Sequence, residues 1–251
     1  MVNQEYIQET IFRAHEREVG KHLAGIVLCG SVNSELSRSS DVDFVVVLKE
    51  LSGAALRGAA AGRAEVGGMI DYSVSNTVIS LDEVRMFPSD PIRMDGKAAQ
   101  GLIEAANRPE RVMGFGDTQI TLPPTELVQD FSTHNFALLD LFIRKAVARA
   151  DEPELSPAER RKVANVGLIA LKMRLQYESP LLFSTVGDGD LFEKAHANEM
   201  LGTFLTFARE VKADPEEHDS EDVLDTVADF LTESRVYFAE HKKTTELPDK
   251  G

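Results

Sequence analysis

Ile26-Val27-Leu28-Cys29-Gly30-Ser31 and, after nine further residues, Asp41-Val42-Asp43-Phe44-Val45-Val46-Val47-Leu48 decide how the rest of the chain is read. The first is an apolar run closed by a Gly-Ser turn. The second is an apolar run opened by two carboxylates at alternate positions. Successive strand side chains point to opposite faces, so Asp41 and Asp43 are expected on one face of one strand. Like charges side by side repel, and a cation between them removes that penalty. A hard divalent cation takes oxygen ligands of this kind, with substrate phosphates completing its shell. Gly30 lets the backbone approach an anion closely, and the Ser31 hydroxyl with the N–H groups after it suits phosphate oxygens. Ser40, just before Asp41, can bind phosphate in the same way or cap the turn.

Outward from this stretch, Ile7, Ile11, Ala14 and Leu23 make the apolar stripe of an amphipathic helix over 3–23, punctuated by Gly20 and Gly25. Residues 51–63 are rich in Ala and Gly and predict a helix that Gly53, Gly58 and Gly62 weaken. A strand is expected over 66–75, carrying Asp71 between Ile70 and Tyr72. Ser80-Leu81-Asp82-Glu83 has the form of a capping box opening a short helix, closed by Pro88 and Pro91. A helix over 98–106 and a short strand and turn over 111–117 follow. Pro123-Pro124 then stops both strand and helix. Beyond it the pattern changes to helices over 125–150, 156–178, 190–211 and 220–242, an antiparallel bundle by their length and short connections. The expected fold class is therefore α+β, a mixed-sheet domain over 1–122 followed by an all-α bundle over 123–251.

At 43% hydrophobic and 27% charged residues the chain can bury a core. Its net charge of -15 argues against generic binding to nucleic-acid backbones, which needs a basic surface. One cysteine permits no disulfide framework. Residues 1–17 lack the apolar core of a signal peptide, and no apolar run nears the roughly 20 residues that span a bilayer. A cytoplasmic protein without membrane association is expected.

The order apolar strand, Gly-Ser, Asp-x-Asp on an apolar strand, then a third acidic residue resembles the DNA polymerase beta-like nucleotidyltransferase superfamily. It is most similar to small bacterial and archaeal members that add a helical bundle, among them the aminoglycoside nucleotidyltransferases and the minimal nucleotidyltransferases of toxin–antitoxin pairs. The resemblance covers Gly30–Leu48 closely and Asp71 loosely; many members carry a glycine where this chain has Ser34-Glu35-Leu36, and the linking segment here is slightly short. It implies that Asp41, Asp43 and Asp71 bind Mg²⁺, two ions in all, with Asp71 alternatively the general base. It implies further that Gly30 and Ser31 bind the nucleoside triphosphate. The activity implied is transfer of a nucleoside monophosphate from an NTP such as ATP to an acceptor hydroxyl. A cationic small molecule such as an aminoglycoside suits an acidic cleft; tRNA, the one nucleic acid expected as acceptor, and protein stay open.

Other residues are weighed against plainer roles. Lys172, in the apolar second bundle helix, is a candidate to hold the triphosphate, with Arg174 behind it; the alternative is a snorkelling charge. His134, with Ser132 and Asn135, could orient an acceptor or act as base, and Asp140 and Glu126 could activate one. Asp188-Gly189-Asp190 is expected to be a turn, the 216–221 acidic run a solvated loop and Cys29 a packing residue. A competing reading makes the protein an antitoxin-like or regulatory module that holds a protein partner or a second copy of itself. A third, a ribonuclease-like helical half, is set aside because that half is read as having no Arg followed four to six residues later by His.

Overall fold

The computed structural model describes residues 4–29, 41–148, 154–180 and 193–241. Among these, four strands form one mixed sheet: β1 (Leu23–Cys29), β2 (Asp41–Leu48), β3 (Ser73–Ser80) and β4 (Val112–Gly114), in the order β3-β2-β1-β4. β1 pairs antiparallel with both β2 and β4, placing Cys29 opposite Asp43 and Leu23 opposite Leu48. β2 and β3 run parallel, with Asp41 opposite Ser73 and Asp43 opposite Ser75. Parallel neighbours need a crossover; helix α2 (Gly53–Met69) supplies it.

One sheet face packs on α1 (Gln4–Val19) and α2. Ile7 and Ile11 from α1, Ile26 and Leu28 from β1, Val42, Phe44, Val46 and Leu48 from β2, and Ala59 and Val66 from α2 share one buried core. α1 stops at Val19, a 3₁₀ turn over Gly20–His22 follows, and Leu23 belongs to β1 rather than to the helix. Gly58 and Gly62, which lower the expected helicity of α2, are where α1 crosses it. A Cβ on Gly58 would overlap the Glu18 carbonyl oxygen, and one on Gly62 the His15 ring. Close packing of the two helices outweighs propensity at these positions.

α2 also runs further than expected. Val66-Gly67-Gly68-Met69 is its last turn, not the start of a strand, and Ile70 N–H still donates to the Val66 carbonyl at 3.1 Å. β3 accordingly begins at Ser73, and Asp71 falls in the bend before it. β3 ends in the expected capping box. Ser80 Oγ accepts from Glu83 N–H at 3.2 Å, and Glu83 Oε2 accepts from Ser80 N–H at 2.7 Å, opening α3 (Leu81–Met86). The opposite sheet face is covered by α4 (Gly96–Ala106), whose Ala98, Ala99, Leu102 and Ile103 are buried.

The chain divides into two compact units, one of residues 1–131 with 178–191 and one of 132–177 with 192–251, the first boundary falling inside helix α5 (Thr125–Ala148). The second unit, among its described residues, is helical: α5 from Ser132, α6 (Pro157–Glu178), α7 (Glu199–Ala213) and α8 (Ser220–His241). Its core is aromatic. Phe204 stacks on Phe230 with centroids 3.9 Å apart, Phe136 lies 4.8 Å from Phe238, and Tyr177 meets Phe238 edge-on at 5.0 Å. The fold class is α+β. No helix among the described residues is long and apolar enough to cross a membrane.

Candidate active site

The site grows from the way α4 is anchored over the sheet. Asp95 caps its N-terminus, Oδ1 accepting from the N–H groups of Lys97 at 3.0 Å and Ala98 at 3.1 Å. With the first turn fixed, Lys97, Gly101 and Glu104 follow at helical spacing on one face. Lys97 Nζ donates to Asp43 Oδ1 at 2.7 Å and to Ser75 Oγ at 2.8 Å. A side chain on Gly101 would strike Cys29 Sγ, so glycine lets α4 lie close to β1. Glu104 Oε2 accepts from Arg111 Nη1 at 2.6 Å, a pair buried to within 6% exposure on either side chain.

Ser75, Asp43 and Cys29 are register neighbours across β3, β2 and β1. The row passes from polar to apolar. The Asp43 and Lys97 side chains remain 31% and 36% exposed, so their ion pair contributes at most about 1 kcal/mol and a solvent cation can compete for the carboxylate. Cys29 is buried, and burial drives its thiol pKa far above the ordinary value. The Glu104 and Asp43 carboxylates push the same way, and Lys97 and Arg111 offset them only in part. A thiol held protonated is no nucleophile, which agrees with the packing role expected of Cys29.

The other expected residues are placed as follows. Asp41 holds the first position of β2, opposite Ser73. Gly30, Ser31, Ser40, the Ser34-Glu35-Leu36 segment and Asp188-Gly189-Asp190 lie outside the described residues. Asp71 is exposed in the bend between α2 and β3, so the β3 positions beside Asp41 and Asp43 belong to Ser73 and Ser75. Lys172 is half-buried on α6, in the second unit, and is already engaged in an interaction. Arg174 is buried with its guanidinium over the Tyr237 ring. His134 and Glu126 are exposed, whereas Ser132 is fully buried. Asp140 is buried and bound by Arg144 and by Arg235 Nη2, the latter at 3.1 Å; this ion-pair network ties α5 to α8. In the acidic run, Asp219 Oδ1 accepts from Asp222 N–H at 2.8 Å and caps α8.

One exclusion made from the sequence does not hold. Arg235 and His241 stand six positions apart on α8, within the spacing of the ribonuclease-like reading. On a regular helix that spacing turns them about 120° from each other. Their partners differ accordingly. Arg235 binds Asp140, while His241 stacks on Tyr237 and donates from Nδ1 to its carbonyl at 2.9 Å.

Sequence reasoning missed Lys97 and Ser75. Their signals were the one cation in the small-residue and apolar helix Lys97-Ala98-Ala99-Gln100-Gly101-Leu102-Ile103-Glu104, and the alternation Ser73-Val74-Ser75 beside a strand that begins with Asp-x-Asp. Among the described residues, no group of three or more His, Cys, Asp or Glu side chains is placed to hold a metal. The Asp43 carboxylate nevertheless carries one cation, the Lys97 ammonium, and remains partly open to solvent. By the chemistry of its donor, the site fits a hard cation. Compared with known proteins, the chain matches no family model and no curated protein.

Proposed function

We propose that the protein is a Mg²⁺-dependent nucleotidyltransferase that moves a nucleoside monophosphate from an NTP to an acceptor hydroxyl and releases pyrophosphate. The observation that carries this reading is Asp43, a water-accessible carboxylate near the start of an otherwise buried apolar strand, paired with the Lys97 ammonium. The resemblance of Gly30–Leu48 to the DNA polymerase beta-like superfamily supports it, as does the mixed sheet in an α+β chain. When bound, Mg²⁺ neutralises charge on the phosphoryl oxygens. Asp41 and Asp43 would hold it, and Asp71, in the bend before β3, would take the acceptor's proton or reach the metal from there. Gly30, Ser31 and Ser40 grip the phosphates through backbone N–H and hydroxyl groups. The acceptor oxygen bonds to the α-phosphorus as the bond to the bridging oxygen breaks, and that electron pair leaves with pyrophosphate. Positioning and charge stabilisation account for the rate.

The test is label transfer. Incubation with α-labelled ATP, GTP, CTP or UTP and Mg²⁺, against pools of aminoglycosides, tRNA and cell protein, is expected to label one pool. An Asp41→Ala/Asp43→Ala variant is expected to label none. Absence of label in every pool, with no Mg²⁺-dependent NTP binding, overturns the enzyme reading.

A second reading, a partner-binding protein on the same fold, draws on α5. Leu138, Leu141 and Phe142 are exposed at helical spacing, an apolar stripe on its outer face. A protein co-purifying stoichiometrically through this stripe, with transfer absent, would favour that reading.

A further inference from the structure

We propose that Lys97 is an internal counter-ion for the metal site: its ammonium neutralises Asp43 while no metal is bound, and a divalent cation binds there in competition with it. The inference rests on the reading of Asp43 as a metal ligand. Three observations carry it. Lys97 Nζ lies 2.7 Å from Asp43 Oδ1, so the ammonium and an ion bound to that carboxylate repel and compete for its charge. The ammonium has a second anchor, Ser75 Oγ at 2.8 Å on the neighbouring strand, where it can stay once the carboxylate is taken. Both charged side chains are about one-third exposed, so water and ions reach the pair. The helix cap at Asp95 fixes the Lys97 backbone, and the flexible four-carbon stem supplies the movement. Lys97 is thus a positioning residue acting through Asp43. It sets the divalent-ion concentration at which the site fills and neutralises the Asp43 carboxylate before that point.

Mn²⁺ binding, followed by its paramagnetic resonance signal without nucleotide, reads this directly. Lys97→Met, which keeps the stem and removes the charge, is expected to bind Mn²⁺ about fivefold tighter than the unmodified chain, the size of effect an exposed ion pair exerts. Lys97→Arg is expected to return affinity to the starting value, which a merely structural lysine would not require. In the unmodified protein, saturating Mg²⁺ is expected to expose the Lys97 amine and raise its acetylation by acetic anhydride, read by peptide mass spectrometry; this arm needs no variant to fold. Unchanged or weaker Mn²⁺ binding by folded Lys97→Met, or acetylation indifferent to Mg²⁺ while Mn²⁺ binds, overturns the counter-ion and leaves the transferase reading standing. No Mn²⁺ bound by either protein overturns the counter-ion and the metal-dependent reading together.

Discussion

At the scale of single residues, burial decides which groups can do chemistry. His15 is fully buried, edge-on to Phe44 with centroids 5.2 Å apart, its Nδ1–H given to the Ile11 carbonyl at 2.8 Å. Burial lowers its pKa from 6.5, and the Ile11 and Ala59 carbonyls only partly oppose this. Below pH 6.5 the unfolded chain takes up a proton that the fold refuses, so this contribution is complete above 6.5 and is lost as pH falls toward the depressed folded value. Urea midpoints at pH 7.5 and 5.5 are therefore expected to differ more in the natural chain than in His15→Leu; equal differences would contradict the assignment. The site was legible in the sequence only where its residues are neighbours. Asp41 and Asp43 show themselves by alternation on one strand. Lys97 lies 54 positions from Asp43 and meets it only because α4 folds back over the sheet, and no local pattern encodes that.

At the scale of elements, packing overrules propensity in ways that can be measured. Alanine favours a helix over glycine everywhere, yet Gly58, Gly67 and Gly68 of α2 should respond to it with opposite signs. Gly58→Ala is expected to destabilise by roughly 1–3 kcal/mol, because its Cβ meets the Glu18 backbone, which cannot yield as a side-chain tip would. Gly67→Ala and Gly68→Ala meet nothing within 4 Å and are expected to stabilise by up to about 1 kcal/mol each. Chemical denaturation of the three variants checks both signs. The same helix explains the one misplaced strand. An apolar, glycine-containing end of a helix and the start of a buried strand have the same local appearance over four residues, and length alone separates them. β1 and β2 were legible because continuous apolar runs bounded by polar turns have few other uses. The helices expected over 125–150, 156–178 and 220–242 were legible because their patterns are long, whereas the one expected over 190–211 is Glu199–Ala213, starting after a turn where Asn198 caps it.

At the scale of the molecule, the charge of -15 comes from 42 acidic against 27 basic residues. Self-repulsion on that scale opposes compaction. Raising ionic strength from about 0.01 M to about 0.15 M shortens the screening length from ~30 Å to ~8 Å. The melting temperature is expected to rise across that range, since exposed pairs such as Arg85–Asp82 and Arg93–Asp90 have little stabilisation to lose. A fall would mean that ion pairs outweigh the net charge.

The sheet order also has a consequence for how the chain is made. β1 lies between β2 and β4, and β4 is Val112–Gly114. On the ribosome, at roughly 5–20 residues per second, β1 presents one bare edge for several seconds after its hairpin partner has emerged. The length of this wait is set by everything between Leu48 and Val112, the whole of α2, β3 and α4. An exposed apolar edge invites pairing with another nascent chain. Crowded polysomes are where misassembly of this protein would start, and slower decoding between those two strands would lengthen the hazard.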